Sequence, residues 1–321
     1  MTSPPEARAR RRWLLPASTL PFAVFVLARW LAHDELLPLA WASSVTTFAL
    51  LPAYALLVVA LVRRRPWVAG VLAAVVASHL AWIAPLVIAD ERVPAPDAAP
   101  LRVMTANLLG VNRDPEPLLS ELLAADVDVV ALEEVTPRWA VLLESDAARE
   151  VYPHRWIEPR ADSFGIAILS RVPLDEVSVH ELGPVPMLEA VLTVGRRRVR
   201  VFAVHTLPPI DGEYAEVWRA QFVQLERVMH ATREPVIALG DFNATNHSRG
   251  LRGLSRAGLS DVHERLGRGL RTTWPNGVFI APPLHLDHIL VSEDIRAMDV
   301  REGVGHGSDH RPVIAELRVE G

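Results

Sequence analysis

Three long apolar stretches dominate the N-terminal part of the chain: Trp13–Leu31, Leu37–Val62 and Trp67–Ala89. Each is close to or above the roughly 20 residues that a helix needs to cross a hydrocarbon core. In lipid the backbone can satisfy its polar groups only within the segment, so an apolar run of this length is read as a helix. Three transmembrane helices, at about 13–31, 37–62 and 67–89, are therefore expected within a membrane anchor covering residues 1–92. The second and third stretches carry no charge. Arg29 lies near the end of the first, where a long side chain can snorkel to the headgroups. Trp13, Trp30 and Trp67 stand at or near stretch ends, where amphipathic rings favour the interface. A cleaved signal peptide is the alternative for the first stretch alone, since arginines precede it, but two further stretches follow.

Flanking charge sets the expected orientation. Arg8, Arg10, Arg11 and Arg12 precede the first stretch and Arg63, Arg64 and Arg65 separate the second from the third, whereas the loop His33-Asp34-Glu35 has no arginine. Arginine-rich short loops stay cytoplasmic, which puts the N-terminus inside and everything beyond Ala89 outside a bacterial cell membrane. Arg92–Pro100 (RVPAPDAAP) holds three prolines. Residues 93–100 are read as a semi-extended linker to one further domain, residues 101–321.

The two parts differ in charge. Up to Arg92 there are nine arginines against five acids, and beyond it 24 arginines against 33 acids, a balance of −9 that argues against a broad nucleic-acid footprint. The absence of cysteine excludes disulfides, thiolate metal sites and a cysteine nucleophile, so any metal must sit on oxygen or imidazole.

Beyond residue 100, apolar runs of strand character alternate with helical patterns, an α/β signature. Strands are expected at Leu101–Ala106, Val127–Leu132, Gly165–Leu169, Glu189–Val194, Val199–Val204, Val236–Leu239, Leu286–Val291 and Pro312–Leu317. Asp114-Pro115 should open a helix running to Ala125, and Asp211–Ala231 is amphipathic. Arg196 to Arg198 follow Gly195 and are expected in a solvated hairpin turn. Polar residues recur at the ends of apolar strands, where α/β domains gather their chemistry: Asn107, Glu133-Glu134, His205, Gly240-Asp241-Phe242-Asn243, Asp287-His288 and Gly307-Ser308-Asp309-His310.

In this order, with the strand GIAILSR at Gly165–Arg171 between the second and third groups, the chain resembles the endonuclease/exonuclease/phosphatase superfamily over roughly residues 101–318. That superfamily includes pancreatic-type DNases, repair endonucleases, inositol polyphosphate phosphatases and neutral sphingomyelinases. The leading apolar stretches make it similar to a membrane-anchored bacterial branch associated with glycopeptide (vancomycin, teicoplanin) resistance. The resemblance implies a four-layer αββα sandwich, two packed mixed sheets flanked by helices, and a hydrolase dependent on Mg²⁺ or Mn²⁺. It implies Asn107, Glu134 and Asp309 as the metal residues, and His205, Asp241, Asn243, Asp287 and His310 as the catalytic set.

In that set Glu134 is a hard oxygen donor suited to Mg²⁺, and Glu133 stands where the family usually has glutamine. Asp241 and Asn243, two apart on an extended segment, would point to one side with Phe242 toward the core. By the family pattern His310 contacts the scissile phosphate or moves a proton, Asp287 fixes its tautomer, Asp309 faces the metal and His205 meets a non-bridging oxygen. His288 should point away and support structure, and His154, His230, His247 and His263 are read as ordinary hydrogen-bonded side chains. Either Asp241 or His310 is compatible with the role of general base.

Two apolar loops adjoin this set, Leu207–Ile210 and Val278–Leu284, and are candidates to rest on a bilayer. The expected substrate is a phosphorylated lipid, such as a polyprenyl phosphate or pyrophosphate, or a small phosphoester. An extracytoplasmic nuclease is the alternative, and a non-catalytic membrane sensor or scaffold is the third reading.

Overall fold

The computed structural model describes residues 5–90, 92–277 and 282–321, with side chains described from Leu15 onward. The arginines at 8 to 12, the Trp13 side chain and residues 278–281 of the second apolar loop therefore lie outside what is described. Two compact units emerge, Met1–Pro85 with His247–Arg249, and Leu86–Asn246 with Gly250–Gly321.

The first unit is helical: α1 (Pro5–Ala32), α2 (Leu37–Ser44), α3 (Thr46–Ala49), α4 (Leu51–Val62) and α5 (Pro66–Val87). Leu15–Ala32 and Pro66–Val87 are each long and apolar enough to cross a membrane. The stretch expected as one span at 37–62 is instead broken, with Leu37–Ser44 and Thr46–Val62 inclined at 71°. The cause is local. At the break, Val45 leaves the helical conformation with φ −98° and ψ 14°; Pro52, in the first turn of α4, interrupts the ladder only further on, between α3 and α4. The Thr46 hydroxyl also donates to the Ser43 carbonyl at 2.7 Å, competing with the helical ladder. Arg29 does not reach outward. It is 1% exposed, with its guanidinium 4.4 Å from the Trp82 ring centre and Nη1 donating to Thr46 Oγ1 at 2.6 Å.

The second unit is built on two six-stranded mixed sheets. In chain order its elements are β1 (Ala99–Asn107), α6 (Glu116–Ala124), β2 (Val129–Glu133), α7 (Pro137–Leu143), α8 (Asp146–Val151), β3 (His154–Glu158), β4 (Ile166–Ser170), β5 (Asp175–Leu182), β6 (Val185–Val194) and β7 (Arg197–His205). Then come α9 (Gly212–His230), β8 (Val236–Asp241), α10 (Arg249–Arg256), β9 (Ser260–Asp261), α11 (Val262–Arg265), β10 (Asp287–Val291), β11 (Ile295–Glu302) and β12 (Val313–Val319). One sheet runs β11-β12-β1-β2-β4-β3 and the other β5-β6-β7-β8-β10-β9. Each contains one parallel pair at its centre, β1 with β2 and β7 with β8.

Val103, Val129, Ala131 and Ile168 of the first sheet pack against Leu188, Val201, Leu239 and Ile289 of the second. The outer face of the first sheet is covered through Leu118, Leu122 and Trp139, that of the second through Trp218, Phe222 and Leu225. Helices thus flank both sheets. Asp211 caps α9 by accepting from the Tyr214 amide at 2.9 Å, which fixes where that amphipathic helix begins. Two residues of the expected linker, Ala99 and Pro100, are in fact paired with Val319 and Arg318. Pro100 is tolerated because β1 meets β2 only from Val103 onward, so the missing N–H interrupts no ladder on that side.

Candidate active site

The central parallel pairs bring four strand ends to one rim. Asn107 stands opposite Glu133 and His205 opposite Asp241, while Asp287, first residue of the antiparallel β10, also lies opposite Asp241. Each side chain is thus delivered by a strand whose preceding residues are locked in the core.

Asn107 joins the sheets. Its Nδ2 donates to Asp241 Oδ2 at 3.1 Å and to Glu134 Oε1 at 3.3 Å, and its Oδ1 accepts from the Leu109 amide at 3.0 Å. Asn107 therefore turns its amine toward the two carboxylates. Glu134 Oε2 accepts from the Gly110 amide at 2.8 Å. The backbone of Glu134 is left-handed, φ 58°, which for a long side chain costs energy and is characteristic of functional turns.

Asn243 corrects one expectation. It lies beyond the end of β8 with φ 45° rather than on an extended segment. Its amide donates to Asp241 Oδ1 at 2.8 Å, an aspartate side chain bonding the backbone two residues on, which bends the chain out of the strand. Its Nδ2 donates to the Thr206 carbonyl at 2.9 Å. Phe242 between them is fully buried against the outer core of the second sheet.

Two histidines face Asp241. His205 Nε2 lies 3.7 Å and His310 Nε2 3.8 Å from Asp241 Oδ2, and His310 Nδ1 pairs with Asp287 Oδ2 at 2.8 Å. Ser308 steadies the last turn, its hydroxyl donating to the Asn107 carbonyl at 2.7 Å and accepting from the His310 amide at 3.0 Å. Asp309 Oδ2 accepts from Trp274 Nε1 at 3.1 Å. His288 points away from this rim, as expected, toward Asp261.

Burial governs the protonation of the group. Burial alone would depress His310, but Asp287 and Asp241 outweigh it and raise it to about 10, so that it is a cation at neutral pH. Burial lowers His205. It raises Asp241, with the charge of Asp287 adding to the effect against the pull of His310. Glu133 is fully buried on the inter-sheet side beside Thr105, whose hydroxyl it accepts at 2.8 Å, and burial followed by Asp287 raises it well above the carboxylate range. It is therefore neutral and no rival to Glu134 as a ligand.

The donor set suits a divalent cation. Ligand atoms of Asp241, Asp287 and His310 lie within 4.8 Å of one another. Protonated His310 has no lone pair to offer, so the carboxylates are the donors, and Asp287 Oδ1 is buried with no hydrogen-bond partner among the described residues. Glu134 adds a hard carboxylate oxygen at the open side. A cleft of about 410 Å³ opens onto Glu134, His205, Asp241, Asn243 and His310. Asp162, Ser163, Phe164, Pro208 and Tyr214 complete its wall. Pro208 belongs to the apolar loop expected beside the site, but Asp162, Ser163, Phe164 and Tyr214 were not singled out from sequence: Asp162–Phe164 directly precede the GIAILSR strand and Tyr214 sits in the first turn of α9, so none ends an apolar strand run.

The sequence model described as the Endonuclease/Exonuclease/phosphatase family matches residues 104–310. No curated protein sequence matches the chain. Among solved structures it resembles D. rerio TDP2 complexed with single strand DNA product, at 20% identity and TM-score 0.56, covering 68% of this chain and 98% of that one. It is similar to an endonuclease/exonuclease/phosphatase from Beutenbergia cavernae at 21% identity and TM-score 0.55, covering 70% and 72%. It is also similar to the Neisseria 3′ phosphatase NExo bound to a product DNA hairpin, at 20% identity and TM-score 0.57, covering 67% and 98%. At these identities the likeness shows the fold.

Proposed function

The chain belongs to the endonuclease/exonuclease/phosphatase family, whose members are metal-dependent hydrolases of phosphoester bonds, and from that premise we propose a membrane-anchored extracytoplasmic enzyme that acts on a lipid-linked phosphate or pyrophosphate. The observation that carries the catalytic reading is the bridge from Asn107 to Glu134 and Asp241 across the two sheets, with His205 and His310 against Asp241.

Glu134 is the principal residue that would hold Mg²⁺, with Mn²⁺ the alternative; Asn107 would act by orienting the Glu134 carboxylate through its Nδ2, and Asp309 would add a further carboxylate. When bound, the cation neutralises charge on the phosphoryl oxygens. Asp241 orients the attacking water. The His310 cation, held by Asp287, and His205 stabilise oxygens that gain charge as the bond to the leaving group lengthens. Asn243 supplies a neutral amide close to the same position.

Three features support the lipid substrate. The helices that contain Leu15–Ala32 and Pro66–Val87 are apolar enough to span a bilayer. The −9 charge beyond Arg92 disfavours a polynucleotide backbone. In the loop after His205, Leu207 is buried, Pro208 lines the cleft and Ile210 is 60% exposed, so an apolar lip adjoins the site. The arrangement resembles the glycopeptide-resistance branch, which makes a polyprenyl carrier of the cell wall the first candidate. The two DNA-bound neighbours favour a nuclease as the second reading. Phosphate release by the detergent-solubilised chain from lipid pyrophosphate, lipid monophosphate and DNA, with and without Mg²⁺, separates them. Release from lipid without DNA cleavage is expected, and salt-sensitive DNA cleavage with inert lipid overturns the proposal. Protease accessibility in intact cells tests the orientation.

A further inference from the structure

A second polar cluster lies behind the catalytic rim, made of Asp261 at the end of β9, His263 in α11, and His285 and His288 flanking Asp287. All four are at least 95% buried. The three imidazoles form a continuous group: His263 and His285 have ring centres 4.4 Å apart with planes at 80°, and His285 stacks on His288 at 4.3 Å. A single unprotonated histidine in a core is ordinary, but three adjoining imidazoles around a carboxylate need an organising partner.

Their outer nitrogens are all engaged with oxygen. His263 Nε2 donates to Glu302 Oε1 at 3.1 Å, His285 Nε2 to the Asp287 carbonyl at 3.0 Å, and His288 Nε2 to the Ala244 carbonyl at 2.8 Å. With Nε2 carrying the proton, each ring can turn a Nδ1 lone pair inward. The Nδ1 atoms of His263 and His285 are buried without a hydrogen-bond partner among the described residues. His288 Nδ1 lies 2.7 Å from Asp261 Oδ2 and His263 Nδ1 3.8 Å from Asp261 Oδ1. Ligand atoms of Asp261, His285 and His288 fall within 4.8 Å of one another. His263 and His285 show the pattern by which metal-binding histidines are held, one nitrogen tied to an outer oxygen and the other free, while the second nitrogen of His288 is tied to Asp261.

We propose that Asp261, His263, His285 and His288 form a second, structural metal site for a divalent transition ion, zinc being the ion that three imidazoles and one carboxylate suit best. Four protein ligands with no open position make a closed site, unlike the hard-oxygen site at Glu134. Tetrahedral zinc requires donor atoms on the order of 3.3 Å apart, so uptake draws the cluster slightly inward. A cavity of about 40 Å³ lined by Asp261, Glu264, Asn246 and Leu290 adjoins Asp261. Through His285 Nε2 the ion braces the backbone of Asp287, the residue that pairs with His310.

The test uses the full chain in detergent, stripped with chelator and reloaded with Zn²⁺ alone. One zinc per chain that persists in Glu134→Gln and is lost in both His285→Ala and His263→Ala is expected, together with a rise of several degrees in the melting temperature of the wild type on reloading. X-ray absorption at the zinc edge of the wild type, which needs no variant, should show four-coordinate nitrogen and oxygen ligation with imidazole scattering. Zinc content unchanged in His285→Ala, loss of zinc only in Glu134→Gln, or a six-coordinate all-oxygen spectrum overturns the proposal.

Discussion

Replacing Asp287 by Asn tests how His310 is charged and whether that charge serves hydrolysis. Asp287 Oδ2 lies 2.8 Å from His310 Nδ1. At an effective dielectric of about 20, a full charge pair at that distance is worth about 6 kcal/mol. The rise of His310 from 6.5 to about 10 corresponds independently to about 5 kcal/mol, so the carboxylates dominate its protonation. Asparagine keeps the shape and removes the charge. Burial, now unopposed by Asp287, should leave His310 neutral at pH 7, and the stabilisation it gives to developing negative charge disappears. A fall of about 10²- to 10⁴-fold in kcat/KM is expected. Stability near pH 8 should change by only about 1 kcal/mol, because both members of the pair become neutral and a buried carboxylate with a partnerless oxygen is removed. Below pH 6 the variant should lose stability relative to the wild type, since its folded His310 resists a proton that the unfolded chain accepts. The assay is Mg²⁺-supported hydrolysis of a chromogenic phosphoester beside thermal melts at pH 5 and 8. A folded Asp287→Asn protein that retains more than a third of wild-type kcat/KM would refute the reasoning.

Other substitutions separate neighbouring roles. Glu133→Gln should leave kcat/KM within about threefold and the melting temperature unchanged, because Glu133 is already neutral, whereas Glu134→Gln should cost about 10²-fold or more and weaken Mg²⁺ binding measured by calorimetry. Gly240→Ala should destabilise by more than about 3 kcal/mol in denaturant melts, since its Cβ would lie 1.8 Å from the Val204 carbonyl oxygen, and φ is +148° besides. Burial, aided by Asp261, raises Glu264 from 4.5 to about 7. The folded carboxyl thus keeps its proton to higher pH than the unfolded one, so its stabilising contribution is present below pH 4.5 and lost as pH rises toward 7. Melts of Glu264→Gln across that range should show a flatter profile than wild type and a higher melting temperature at pH 8.

The rim of the site was legible because a polar residue at the end of a fully buried strand breaks a strong pattern. Asn107 after RVMTA and Asp241 after VIALG stand out for this reason, since the strand beneath Asp241 is an unbroken apolar run and the one beneath Asn107 is buried from Val103 onward. Edge strands gave no such contrast. β5 (Asp175–Leu182) is mostly exposed and β3 (His154–Glu158) is only half-buried, so neither needs apolar alternation. The turn at Asn243 escaped because spacing along a sequence does not reveal that Asp241 caps the following backbone. The break at Val45 escaped because hydropathy measures length and apolarity, while Thr46 acts through a hydrogen bond to the Ser43 carbonyl. His263 read as an ordinary side chain, and nothing singled out His285. Only the folding of α11 against the segment before β10 brings their rings together.

The most direct test of the catalytic assignment is hydrolysis of a lipid pyrophosphate by the detergent-solubilised full chain, followed as released phosphate after chelation, after restoring Mg²⁺, and in a folded Asp241→Asn variant. Activity that vanishes with chelator, returns with Mg²⁺ and is reduced at least a hundredfold in the variant is predicted. Phosphate release that survives both chelation and the loss of the Asp241 charge would contradict the account.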